Sequence, residues 1–166
     1  MATSASAHLR MLLDVEGIPA SPLEGVLRKA LENATGGRRW TQGTGSGEID
    51  RIYIRERSAL GAAATDNYDL LGAGGLNDIH GQAIDADELK AIFLLPTDGS
   101  ILFEAPAANY ITLFSAATDA TEVPSDGMLL SWGADGLDVT VNSKFDITEV
   151  SGAVTADYLL AFICAQ

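Results

Sequence analysis

The chain has 166 residues, 47 % hydrophobic and 20 % charged, a balance that excludes a disordered tail and allows one real core. Its single cysteine rules out an intramolecular disulfide and a cysteine-based metal centre. The net charge of −13 is unevenly placed: eight basic residues face seven acids up to Arg57, and two face sixteen beyond it. The acidic part repels a phosphate backbone, so nucleic acid is not an expected partner. No apolar run approaches the ~20 residues of a membrane-spanning helix, so no membrane partner is expected either.

Residues 1–20 read as an N-terminal arm, without the basic start and long apolar core of a secretory signal. Residues 21–166 read as one domain. Ser21-Pro22-Leu23-Glu24 is a helix start, with a Ser cap, Pro at the first helical position and Glu at the third. Leu23, Val26, Leu27, Ala30 and Leu31 recur with helical spacing, which predicts one short helix over residues 22–33. Asn33 and Gly36-Gly37 end it.

Residues 35–47 form a Gly-, Thr- and Ser-rich loop containing Arg38, Arg39 and Trp40. Its Gly43-Thr-Gly45-Ser-Gly47 lacks the Lys and following helix that a phosphate-binding loop requires. A strand follows instead. Asp50–Arg57 alternates, putting Ile52 and Ile54 on one face and Arg51, Tyr53, Arg55 and Arg57 on the other. That stripe, with Arg38, Arg39 and Trp40 upstream, is the candidate partner-binding surface, suited to an acidic protein. The plainer reading is a solvated face paired with nearby acids.

Asp66–Leu71 reads as a strand, and Asp78–Gln82 as a turn. After residue 88, seven apolar runs alternate with Gly, Pro, Asp and Asn: Leu89–Leu95, Ile101–Glu104, Tyr110–Phe114, Met128–Trp132, Leu137–Val141, Phe145–Val150 and Tyr158–Cys164. This rhythm predicts a mainly β fold, an antiparallel β-sandwich of nine or ten strands in all. The unbroken runs Leu89–Leu95 and Tyr158–Cys164 predict strands covered on both faces. Cys164 and Trp132, each in an apolar run, are expected to pack in or beside the core.

Chemistry has little to work with. His8 lies in the arm, and His80 sits among turn residues, so neither suggests a catalytic triad or a zinc site. Asp85, Asp87 and Glu88 are the densest acids, without the spacing of a calcium loop. No pair of carboxylates stands out as a hydrolytic couple. The expectation is no enzyme, no cofactor and no metal.

Three segments carry a resemblance. They are Gly43-Thr-Gly45-Ser-Gly47-Glu48-Ile49-Asp50-Arg51-Ile52-Tyr53, then Tyr68-Asp69-Leu70-Leu71-Gly72 with Gly74-Gly75-Leu76-Asn77-Asp78-Ile79-His80-Gly81, then Pro124-Ser-Asp126-Gly127-Met128-Leu129-Leu130. With a strand at Lys90-Ala91-Ile92 and an apolar terminal strand, the pattern resembles small virion proteins of tailed bacteriophages over residues 20–166. It departs where a Gly-rich stretch is replaced by Thr97-Asp98-Gly99-Ser100. The resemblance implies a jelly-roll-like capsid decoration, or cement, protein on the virion exterior, made in the host cytoplasm. It would bind the major capsid protein and itself, as a dimer or trimer. A tail- or fibre-associated carbohydrate-binding module, with Trp40 as a stacking platform, is the alternative; a hydrolase is a more distant one.

Overall fold

The computed structural model describes residues 41–42, 48–150, 152 and 154–166. The arm over 1–20, the helix over 22–33, and Arg38, Arg39 and Trp40 lie outside the described residues. The described chain is mainly β, and its only helical element is one 3-10 turn, Gly72–Gly74. The strands are β1 (Thr41–Gln42), β2 (Glu48–Ile49), β3 (Arg51–Leu60), β4 (Thr65–Asp69), β5 (Glu88–Asp98), β6 (Ile101–Glu104), β7 (Ala120–Val123), β8 (Leu129–Asp138), β9 (Lys144–Glu149) and β10 (Ala156–Ala165). The short β1 and β2 pair in parallel. The rest make two four-stranded antiparallel sheets, ordered β3-β10-β5-β8 and β4-β9-β6-β7.

Alternation along each strand decides which side chains meet between the sheets. On β10, Tyr158, Leu160, Phe162 and Cys164 enter the shared core with Tyr68, Phe103, Phe145 and Ile147 of the other sheet. Phe145 meets Phe162 edge-on at 6.4 Å and stacks on Tyr68 at 5.0 Å, so aromatic rings bridge the two layers. Fully burying such a side chain contributes roughly 1.5–3 kcal/mol. Leu159, Ala161 and Ile163 alternate onto the opposite face of β10, and they too are buried. Phe93 on β5, paired with Ala161, is buried with them. Both faces of the two most apolar strands are therefore covered, as their unbroken sequence requires.

Three strand expectations change. Tyr110–Phe114 is a turn with a single bridge from Tyr110 to Lys144. Asn109 takes a left-handed conformation (φ 59°) and the Phe114 N–H bonds back to the Ile111 carbonyl, so this apolar run folds onto itself while burying Ile111 and Phe114. Leu137–Val141 is not a separate strand: Leu137 and Asp138 end β8, which continues across an irregularity in which Trp132 to Leu137 of β8 lie opposite Ala91 to Leu89 of β5. Gly136 adopts φ 77° beside the pairing irregularity around Lys90, where a Cβ would lie 2.9 Å from the Lys90 Cδ. In their place β7 appears, a short edge strand whose first three residues are exposed. Beyond residue 88 the strands number six rather than seven.

Candidate functional site

The face of β3 that carries Arg51, Tyr53, Arg55 and Arg57 is turned toward the second sheet. Tyr53 fixes this orientation: it is 8 % exposed, stacks on Phe162 at 4.6 Å and meets Tyr68 edge-on at 6.3 Å. The alternation foreseen in the sequence is present, but the arginines on that face point inward at its margin instead of forming an open stripe.

Asp66 on β4 is what they reach. Its Oδ2 accepts a hydrogen bond from Arg57 Nε at 2.8 Å and lies 3.5 Å from an Arg55 terminal nitrogen. The Tyr158 hydroxyl donates to the same oxygen at 2.6 Å and lies 2.7 Å from the Tyr68 hydroxyl. The Arg55 guanidinium sits 5.6 Å over the Tyr68 ring. Burial pushes the Tyr68 phenol up to about 12, opposed by the Tyr158 hydrogen bond and the Arg55 charge. Burial also raises the Tyr158 phenol, and the neighbouring Tyr68 and Asp66 add to the shift. Tyr53 is raised for the same first reason, burial. Three neutral phenols, two guanidiniums and one carboxylate thus form a clamp between the sheets. Their bonding capacity is directed at one another, which suits holding the layers together better than moving protons.

Arg51 marks a second cluster, at the end of β3 where β10 finishes. Its Nη1 donates to the Asp50 carbonyl at 3.0 Å and pairs with Asp50 Oδ2 at 3.2 Å. Its Nε donates to the Ala83 carbonyl and lies 3.9 Å from Asp78 Oδ2. Asp78 is buried, and its Oδ1 accepts the backbone N–H groups of His80 and Gln82, both at 2.8 Å. The Ile79 N–H reaches the Ile52 carbonyl at 3.0 Å. The Asp50-Arg51 and Asp78–Gly81 motif segments therefore lock onto each other. Asp69 plays a similar part: its Oδ1 accepts the Leu71 N–H at 3.1 Å and the Ser143 hydroxyl at 2.6 Å. Gly74 is required beside it, because a Cβ there would collide with the Asp69 carbonyl.

Asp85 accepts the Gly72 N–H at 2.8 Å, and Glu88 pairs with Lys90. Among the described residues no three His, Cys, Asp or Glu side chains are grouped to hold a metal ion. Cys164 is buried, and burial pushes its thiol up to about 12, which keeps it in the unreactive thiol form.

Besides Asp78, two more acidic or basic side chains are buried without having been foreseen. Lys90 is fully buried and donates to the Asp135 carbonyl at 3.1 Å besides its pairing with Glu88. Glu149 is buried, and its Oε2 accepts the N–H groups of Ala63 and Gly152 at 2.9 and 2.8 Å. The signal for Glu149 was its register: Phe145, Ile147 and Glu149 share the inward face of β9. No protein-family model matches this chain, and no curated protein matches it significantly.

Proposed function

We propose that this chain is a jelly-roll-like β-sandwich of a tailed-phage virion that decorates the capsid exterior, binding the major capsid protein and copies of itself. The observation that carries the reading is the nested strand pairing. β3 lies beside β10, β4 beside β9, β5 beside β8 and β6 beside β7. Such an order is what results when one long hairpin is rolled into two facing sheets, an arrangement widely used in viral capsid proteins. Lectins and cupins use it too, so the choice among them rests on the chain's own residues rather than on topology.

Those residues favour structural work. The segments that resemble phage virion proteins spend their polar groups inside the fold: Arg51 on Asp50 and Asp78, and Asp69 on Leu71 and on Ser143 outside those segments. A decoration protein acts by surface binding and has no turnover step to supply. Repeated copies around a capsid symmetry axis would close a small homo-oligomer. Immunogold labelling of intact virions tests the assignment: label over the head is the expected result, and label confined to the tail or fibres would replace this reading with a receptor-binding one.

A further inference from the structure

Four turn regions meet at one end of the two sheets: Gly61–Ala64, Asp98–Ser100, Pro124–Met128 and, between Glu149 and Ala156, the described residues Val150, Gly152, Val154 and Thr155. Hydrogen bonds tie them into a single body. The Asp126 N–H bonds to the Pro96 carbonyl, the Ser125 N–H to the Ser100 hydroxyl, and the Val150 N–H to the Ser100 carbonyl, each at 3.3 Å. Glu149 gathers Ala63 and Gly152, while Asp157 Oδ1 accepts the Ala59 N–H at 2.6 Å. Three of the four described non-glycine residues with positive φ lie here, Ala59, Ala63 and Asp126. Backbone strain of this kind persists only where the surroundings over-determine it, and it concentrates at binding surfaces.

The same end carries three of the five exposed large hydrophobic side chains among the described residues: Met128 (45 %), Val150 (38 %) and Val154 (54 %). Their turns converge on Ser100. Asp98 and Asp126 are exposed around them, and no Lys or Arg occurs in residues 58–65, 96–101, 122–129 or 149–157. The cation nearest in sequence, Arg57, is engaged by Asp66.

We infer that this turn platform is a docking surface for a protein partner with an apolar centre and a cationic rim. Protein–protein interfaces place apolar anchors inside a polar border. Charge selects the occupant: a second copy would bring acid against acid, whereas a basic surface complements Asp98 and Asp126. Rigid turns lower the ordering cost of binding. The inference rests on the virion reading only for the partner's identity, which there is the capsid shell.

Amide chemical-shift mapping on the full chain tests it, with a peptide of alternating leucine and lysine as the probe. The largest shifts are expected in the four turns. Met128→Glu with Val154→Glu should weaken binding about tenfold or more, and the milder Met128→Ser with Val154→Ser should weaken it in the same direction. Oligolysine of equal charge should bind more weakly. Shifts spread over the sheets, unchanged binding by the double variants, or equal binding of oligolysine would overturn the platform. Shell binding is scored separately: if the unaltered chain and both double variants bind shells equally, the platform fails and the virion reading stands. If the unaltered chain does not bind shells, the virion reading fails and the peptide result alone decides the platform.

Discussion

The Tyr158 hydroxyl donates to Asp66 Oδ2 at 2.6 Å, joining β10 of one sheet to β4 of the other on an oxygen that Arg57 also reaches. Because Tyr158 and Asp66 lie 92 residues apart in the chain, this bond forms only when the layers are assembled. Removing the carboxylate leaves two arginines and a buried phenol without their common acceptor. Asp66→Ala is expected to cost about 1–3 kcal/mol, and Tyr158→Phe about 1 kcal/mol. Urea unfolding measures both, and an unchanged midpoint for Asp66→Ala would remove the clamp from the list of stabilising features.

The clamp also sets an alkaline limit. The Tyr68 phenol is raised from 10.0 to about 12 in the folded chain, so the folded state holds that proton more tightly than the unfolded one. Its stabilisation is complete below pH 10.0 and is lost as pH rises toward about 12. The urea midpoint should fall across that window, and Tyr68→Phe should flatten the fall. A Tyr68→Phe variant with the same alkaline slope as the parent would assign the effect to other groups.

Arg51→Glu combined with Arg55→Glu separates docking from folding. On an open stripe the pair would weaken binding and leave the fold intact. In this structure Arg51 neighbours Asp50 and Asp78, and Arg55 neighbours Asp66, so each change sets carboxylates beside carboxylates. The double variant is expected to lose stability by about 1–3 kcal/mol. Wild-type stability with reduced shell binding would restore the stripe as the docking face.

Glycines in the resembling segments make unequal demands. A Cβ at Gly74 collides with the Asp69 backbone, whereas at Gly81 (φ 78°) it meets nothing within 4 Å. Gly74→Ala should cost about 1–3 kcal/mol through overpacking, and Gly81→Ala about 1 kcal/mol through its left-handed backbone. Thermal unfolding of the two variants gives the order, and a reversed order would contradict the crowding at Asp69.

The strands were legible wherever apolar alternation had no competitor. Ile101–Glu104 matches β6 residue for residue, and Phe145–Val150 and Tyr158–Cys164 lie within one or two residues of β9 and β10. β7 was hidden because Ala120, Thr121 and Glu122 are exposed and give no apolar signal. Gly136 read as a break, though β8 continues past it; its positive φ and its close approach to Lys90 and Leu89 belong to the pairing irregularity there. The β3 stripe was legible as an alternation, but its inward direction depended on Phe162, over a hundred residues along the chain, and on Asp66, nearby in sequence but on a strand of the other sheet. The turn platform was invisible for the same reason, since its four pieces come together only through hydrogen bonds across the finished fold.

The most direct measurement of the proposed capsid-decorating role is sedimentation of purified chain with tailed-phage capsid shells stripped of their decoration. Saturable binding at a fixed number of copies per capsomer, with a raised disassembly temperature for the decorated shell, is the expected result. Shells that sediment without the chain, at concentrations where both are intact, would contradict a capsid-decorating role.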